Sequence, residues 1–299
     1  MGGSHVHDTS NLSGKKILRV TLLNALITVA ELIGGLVSGS LALLSDSVHN
    51  LSDTAAIALS YFANRVARRP RDSKRTFGYK RAEILAAFIN SSVLFVISVF
   101  LIFGAWKRFR SPEEINGVLM ITVASVGLAA NLFSMLLLEK DSHGNLNIRS
   151  SYLHLLGDTI SSVGVVLGGI VINIWGITWI DSLVTLLISL YILKASWGIL
   201  SKTISIFMQS SPDLDFDGIR KDIEGIDMVR NIHHVHAWMI NENLIHFEAH
   251  IDMEDMKLSE AEKVYDRIGE LLKEHYGVSH ITLQAEVDRC EDKELISQS

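Results

Sequence analysis

Ser45-Asp-Ser-Val-His-Asn-Leu-Ser-Asp-Thr54 sets His49 and Asp53 one helical turn apart within an apolar run, so both side chains leave one helix face. The spacing recurs. In Tyr152-Leu-His-Leu-Leu-Gly-Asp-Thr159 the pair is His154 and Asp158, again within an apolar run, and the two stretches agree at His, Leu, Asp and Thr. A repeat this short is an echo rather than proof of duplication.

A single Asp at the centre of a membrane helix costs roughly 2.5–3.5 kcal/mol on the insertion scale. Two His/Asp pairs in apolar runs therefore need compensation, and no Lys or Arg is expected at their depth to provide it. A divalent ion or protons would. Two imidazoles and two carboxylates on facing helices form a tetrahedral donor set of the kind zinc holds at roughly 2.0–2.2 Å. Four convergent ligands favour metal over a proton-only relay. Because imidazole titrates near neutral pH, metal arrival expels protons and protonation expels metal. Asp46 lies on an adjoining face, suited to helix packing or ligand orientation as much as to metal. Asn24, Glu31 and Asn131 read as helix–helix hydrogen-bonding groups, with Glu31 the one nearest a role in an ion path.

The 299 residues are unevenly charged, with +6 over residues 1–211 and −12 over residues 212–299. An apolar, slightly basic front and an acidic back point to two different solvents. The acidic portion argues against a nucleic-acid partner. A lone cysteine, Cys290, excludes an intramolecular disulfide and a cysteine-rich zinc site. The first apolar run is as long as a full span, so no cleavable signal peptide is expected.

After a polar segment over residues 1–16, six spans are expected within 17–204: Ile17–Val37, Leu41–Ala63, Ala82–Trp106, Val118–Leu138, Tyr152–Ile174 and Ile180–Leu200. Basic residues sort to one side. Lys15, Lys16, Arg19, the run from Arg65 to Arg81, Lys140 and Arg149 give thirteen, against Lys107, Arg108 and Arg110 opposite, which puts both termini in the cytoplasm of an inner or plasma membrane protein. The basic run also suits anionic lipid headgroups, and Phe77-Gly-Tyr-Lys-Arg-Ala-Glu83 inside it is a more distinctive motif.

Residues 205–289 read as a small α+β domain of order αββαβ. Its helices are Asp213–Gly225 and Leu258–Tyr276, and its strands are Val229–Ile240, Leu244–Met253 and Val278–Val287. Ser259 with Glu262 has the spacing of a capping box. A polar, loose tail is expected over 290–299. Seven of the twelve histidines fall in this domain. Period-2 alternation places His234, His236, His246 and His250 in phase, and likewise His280 and Glu286. A second metal site from His236, His250, His280 and Glu286 follows. His5 and His7 form a His-x-His pair suited to transient capture, and His143 stands alone in the loop after the fourth span.

Leu44-Ser-Asp-Ser-Val-His-Asn-Leu-Ser-Asp53, Phe77 to Glu83, His154-Leu-Leu-Gly-Asp158, His234-Val-His-Ala-Trp238, Ala249-His250 and Ile281-Thr-Leu-Gln-Ala-Glu286 together resemble the cation diffusion facilitator family. The likeness is nearest to its cobalt-zinc-cadmium resistance branch of bacterial zinc exporters and covers nearly the whole chain. It implies a homodimer of six-helix protomers with cytoplasmic ferredoxin-like tails, a non-enzyme that exchanges cytoplasmic zinc, and less readily cadmium or cobalt, for protons by alternating access. It assigns His49, Asp53, His154 and Asp158 to the transport site in its zinc-preferring version, and makes Zn2+ the substrate and a ligand of the tail. Two departures from relatives stand out: Arg75 and Tyr79 stand where some place loop ligands, and Leu283 where some have a third-strand His. A metal-sensing receptor and an intramembrane metalloenzyme are the competing classes, although His-Glu-x-x-His is missing from the sequence.

Overall fold

The computed structural model describes residues 25–142, 146–289 and 293–296, without the side chains of 137, 138, 140–142 and 146–151. The expectations for His5, His7, Asn24, His143, Cys290, the start of the first span and the side chains of Lys140 and Arg149 lie outside these residues. The chain forms two compact units, one holding the described residues up to Phe62 together with Ile89–Leu200, the other Ala63–Phe88 and the residues from Ser201 onward.

Among the described residues the membrane domain has six helices: α1 (Ala25–Ser38), α2 (Leu41–Ala67), α3 (Ala82–Arg110), α4 (Gly117–Ser142), α5 (Leu146–Trp175) and α6 (Trp179–Phe207). Four of them, α3, α4 over Gly117–Leu136, α5 over Tyr152–Trp175 and α6, are long and apolar enough to cross a membrane unaided. α2 has the length, at 27 residues, but spends it on Asp46, His49, Asp53 and four serines. An amphipathic burden of that kind is tolerated only where the polar face is turned to protein.

The start of α2 shows how. Its first backbone N–H groups have no intrahelical acceptor. Asp181 of α6 supplies one, taking hydrogen bonds from Ser40 Oγ (2.5 Å), Leu41 N (2.8 Å) and Ala42 N (3.2 Å) while fully buried. Arg108 at the end of α3 donates to the Gly39 carbonyl in the turn before α2, where Gly39 takes φ +75°. Thr54 and Thr159 each return their hydroxyl to the carbonyl four residues back, Asn50 and Leu155, a bond that hides a polar group inside its own helix.

Close helix approach needs small residues. Gly127 of α4 faces Glu31 of α1 so tightly that a β-carbon there would lie 1.7 Å from Glu31 Oε1. Glu31 is buried, and its other oxygen accepts from Asn50 Nδ2 at 3.2 Å. Gly127→Ala is therefore expected to displace the carboxyl and destabilise the domain by about 1–3 kcal/mol, the usual range for overpacking. Thermal unfolding in detergent checks this: the loss should shrink in a Glu31→Ala background, since the two positions share one space.

In the second unit α7 (Phe216–Glu224) buries Ile219 and Ile223, and Asp215 caps it by accepting from Gly218 N at 2.9 Å. α8 (Leu258–Tyr276) buries Ala261, Val264, Ile268 and Leu272, one stripe of an amphipathic helix. It ends at Gly277, whose φ of +67° is the left-handed conformation that closes many helices. Its N-terminus differs from expectation. Glu260 accepts from Lys257 N at 3.2 Å, so a single capping bond forms, two residues earlier than the Ser259/Glu262 spacing predicts.

The three strands are β1 (Val229–Asn241), β2 (Leu244–Met253) and β3 (His280–Glu286). β1 pairs antiparallel with β2, and β2 parallel with β3 across α8, in sheet order β1-β2-β3. Ile245, Phe247, Ala249, Ile251 and Met253 of β2 face a core shared with α7 and α8. The alternate residues, His246, Glu248, His250 and Asp252, take the other face.

β1 breaks its own period. The register runs His233↔His250 and then His236↔Glu248, three residues against two, which is a β-bulge. His234 inside it has φ +54°. The bulge leaves two backbone donors, and the chain end satisfies them: His234 N donates to Glu294 O (3.2 Å) and Val235 N to Leu295 O (2.8 Å). Leu295 packs on the core. The segment 293–296 is thus docked, contrary to a loose tail, because the bulge offers it partners.

Lys293 adds a charge bridge, its Nζ 2.6 Å from Asp252 Oδ2. Burial pushes the Asp252 carboxyl up, but hydrogen bonds from Lys293 and the Asp288 backbone, with the Lys293 and Arg230 charges, outweigh it and hold the carboxyl below its usual range. A carboxyl lowered in the folded state contributes stability that is present above its unfolded value of about 3.9 and is lost as pH falls through the folded value. Lys293→Met is thus expected to loosen β2 and β3 at neutral pH, with wild type and variant converging in acid. Amide hydrogen exchange of those strands reads the difference.

Candidate metal centres

His49 and Asp53 project from α2, His154 and Asp158 from α5, and all four meet inside the first unit. His49 Nδ1 lies 3.6 Å from Asp53 Oδ2, and His49 Nε2 lies 3.5 Å from Asp158 Oδ1. His154 Nε2 lies 3.3 Å from Asp53 Oδ2 and 3.7 Å from Asp158 Oδ2. Two imidazoles and two carboxylates thus alternate around a ring. The imidazoles stand edge-on, centroids 6.0 Å apart at 81°, so neither ring blocks the space between them.

Ligands at zinc distances of roughly 2.0–2.2 Å stand about 3.3–3.6 Å apart along the edge of a tetrahedron. One ligand atom each from His49, Asp53 and Asp158 lies within 4.8 Å of the others. The four cross-separations, from 3.3 to 3.7 Å, draw on both nitrogens of His49 and both oxygens of Asp158, so they enclose a centre without tracing a single tetrahedron. They are also too long for good hydrogen bonds. Consistently, His49 Nδ1 and Asp53 Oδ2 are fully buried without a hydrogen-bond partner. Such an arrangement is costly unless something else satisfies the donors. The side chains of Asp158 and His49 are 6% and 13% exposed, those of Asp53 and His154 28% and 48%, giving the centre a closed and an open side. An apolar cavity lined by Leu156, Ile160, Leu187 and Tyr191 adjoins His49 and Asp158 and keeps the dielectric low beside them.

Asp46 is engaged elsewhere. Ser161 and Ser162 of α5 donate to its two oxygens at 2.7 and 3.0 Å, so it fixes α2 against α5 one turn from His49. Asn131 extends the link from α4, donating to Ser162 Oγ at 3.4 Å. Among the described residues one basic side chain does lie within a span, against expectation. Lys194 in α6 is exposed, and among the described residues the ion-pair partners of Asp53 and Asp158 are the two histidines.

The tail holds a second convergence, on different residues from those the alternation predicts. Glu286 Oε1 lies 3.0 Å from His250 Nδ1, and Glu286 Oε2 lies 3.4 Å from His233 Nε2. His233 and Glu286 are almost wholly buried. The Asn231 Oδ1 atom, 3.0 Å from His233 Nδ1, is an acceptor, so Nδ1 carries the proton and leaves the Nε2 lone pair aimed at the centre. Burial pushes the His250 imidazole below its usual value, and His234, His233 and Arg289 push the same way against the pull of Glu286. A neutral imidazole is the form that ligates.

His236 and His280 lie apart from this trio. Past the bulge His236 pairs with Glu248. His280 pairs with His246 at the opposite end of β3 from Glu286, its ring 4.7 Å from that of His246. Six residues along a strand span about 20 Å, far beyond a shared ion. His233, the ligand that alternation misses, is brought onto the face of His250 by the bulge.

Two family models match. That for the cation efflux transmembrane domain covers residues 17–208, and that for the cytoplasmic domain of cation efflux proteins covers residues 211–288. The metal cation efflux system protein CzcD of Cupriavidus metallidurans is 34% identical over 97% of this chain and 92% of its own length. The zinc transporter ZitB of Escherichia coli is 35% identical over 97% and 94%. A cadmium, cobalt and zinc/H(+)-K(+) antiporter of Bacillus subtilis is 35% identical over 94% and 92%. With the two models together matching residues 17–208 and 211–288 and relatives aligned over nearly their full length, this multi-pass membrane protein belongs to the cation efflux family.

Proposed function

We propose that the protein exports divalent transition-metal cations in exchange for protons, with zinc preferred and cadmium and cobalt as secondary substrates. The relatives are described as zinc transporters, as a metal cation efflux protein and as a cadmium, cobalt and zinc antiporter, and none of those descriptions favours a receptor or an enzyme. His49, Asp53, His154 and Asp158 are the transport site. The observation that carries this is the gathering of four ligand side chains from α2 and α5, with one ligand atom each from His49, Asp53 and Asp158 within 4.8 Å of one another and His154 Nε2 3.3 Å from Asp53 Oδ2.

The protein works as a homodimer in the inner or plasma membrane, with both termini and the acidic tail in the cytoplasm, as the basic residues of the Arg65–Arg81 side favour. Zinc with two carboxylates and two neutral imidazoles is electrically neutral, so the loaded centre holds no net charge within the bilayer. When protons replace the metal, the imidazoles take up the positive charge that offsets the same two carboxylates. His233, His250 and Glu286 bind metal in the tail as a regulatory site.

Reconstituted exchange tests the reading. In proteoliposomes under an imposed pH gradient, zinc should move fastest, and His49→Ala should slow it by about 100-fold or more, the cost of removing one partner from a buried polar set. A variant moving zinc at the wild-type rate would end the assignment.

A further inference from the structure

The motif from Phe77 to Glu83 takes no part in either metal centre, yet the structure builds it with care. Glu83, in the first turn of α3, accepts from Asn64 Nδ2 of α2 (2.8 Å) and from Asn241 Nδ2 at the end of β1 (3.3 Å). Phe77 stands edge-on to His246 of β2 with centroids 5.3 Å apart. Gly78 takes φ +79°, a left-handed conformation that favours glycine, and turns the loop there. Asp72 accepts from Tyr79 OH (2.7 Å), which accepts in turn from Arg75. The loop is therefore pinned at both ends and through its middle.

Beside it lies a cavity whose lining includes Arg68, Arg69, Arg71, Lys80 and Asn241. Among the described residues no ion pair engages any of these four cations. Glu83, the acid lining the cavity, already receives two amide donors. Sorting of basic residues to one membrane side explains the number of charges in the loop. It does not explain their gathering around one hollow, where like charges repel. The positive field is felt next door: burial first, then His280, Arg71 and Lys80, push the His246 imidazole below its usual value.

We propose that this cavity binds a phosphate group. The donors suit it: guanidinium forks match phosphate oxygens in pairs, an ammonium adds a point charge, and a primary amide adds a neutral donor. The cavity sits just past the last residue of α2, Ala67, and just before the start of α3. That is where membrane helices meet the headgroup layer, so the phosphate of an anionic lipid is the expected source.

Full-length protein in nanodiscs of phosphatidylcholine with phosphatidylglycerol tests the site by native mass spectrometry. Arg71→Gln with Lys80→Gln should cut retained phosphatidylglycerol about tenfold or more. Arg65→Gln with Lys74→Gln, the same charge change outside the cavity, should leave it within about twofold. Arg71→Lys, which keeps the charge, guards against misfolding and should retain most of the lipid. Inorganic phosphate bound through Arg71 and Lys80 without lipid retention would uphold the same chemistry with a soluble source. Equal losses from the two double variants, or no preference over phosphatidylcholine with no phosphate binding, would overturn the proposal.

Discussion

Asp158→Asn is expected to abolish tight metal binding at the membrane centre. Asp158 presents one oxygen to each histidine, at 3.5 Å to His49 and 3.7 Å to His154, and its side chain is 6% exposed. With both carboxylates ionised, a divalent ion and its ligands sum to zero charge. The amide leaves one positive charge uncompensated where water cannot screen it. Breaking a buried charge pair by removing one partner costs about 3–5 kcal/mol, which is at least about 100-fold in affinity. Cobalt absorption, which reports tetrahedral coordination, should lose its intensity at concentrations that saturate the wild type. Asp46→Asn supplies the contrast. Its carboxylate is held by Ser161 and Ser162, and an amide keeps one acceptor for them, so affinity should move by less than about tenfold. Equal losses from the two substitutions would mean that depth in the membrane, and not ligation, sets the effect.

What the sequence disclosed and what it hid follow from range. A four-residue spacing is local, so the pairing of His49 with Asp53 and of His154 with Asp158 was readable from helix geometry alone. Their apolar surroundings made the need for a partner readable as well. The convergence of α2 on α5 is long-range, and only the economy of burying two polar pairs together argued for it. The capping bond of α8 slipped by two residues because Lys257 has no side-chain acceptor to mark it as a cap, and Glu260 alone supplies the bond. The docked segment 293–296 was illegible for a different reason. Its partners are backbone donors freed by a bulge, and no side chain announces them.

Alternation itself held along β2 and β3: His246, His250, His280 and Glu286 do share a face. Being in phase is not being near, and His280 and Glu286 sit at opposite ends of one strand. In β1 the extra residue at the bulge reversed the parity, and its mark on the backbone is the positive φ of His234, a conformation uncommon outside glycine but one in which histidine, like asparagine and aspartate, is enriched. Nothing in Ile232-His-His-Val-His236 fixes which histidine is the displaced one.

His233→Ala and His236→Ala separate the two versions of the tail centre by a wide margin. His233 is fully buried, held by Asn231 on one side and facing Glu286 on the other. Its loss removes one of three ligands and leaves the buried Glu286 carboxylate with a smaller set of partners. Metal affinity of the tail should fall about 100-fold or more, on the scale of a lost charge-assisted contact in a buried site. His236 is exposed and pairs across the strands with Glu248, so its loss should change affinity by less than about threefold, as for other exposed polar groups. Calorimetric titration of full-length protein carrying Asp158→Asn, which silences the membrane centre, isolates the tail. The bulge makes one further demand. Because it carries His233 onto the His250 face, a substitution that discourages positive φ at His234, such as His234→Val, should weaken tail binding although His234 supplies no ligand. Should His236→Ala prove the damaging change and His233→Ala the silent one, the strand must run in the uninterrupted alternation and the trio described here is not the binding set.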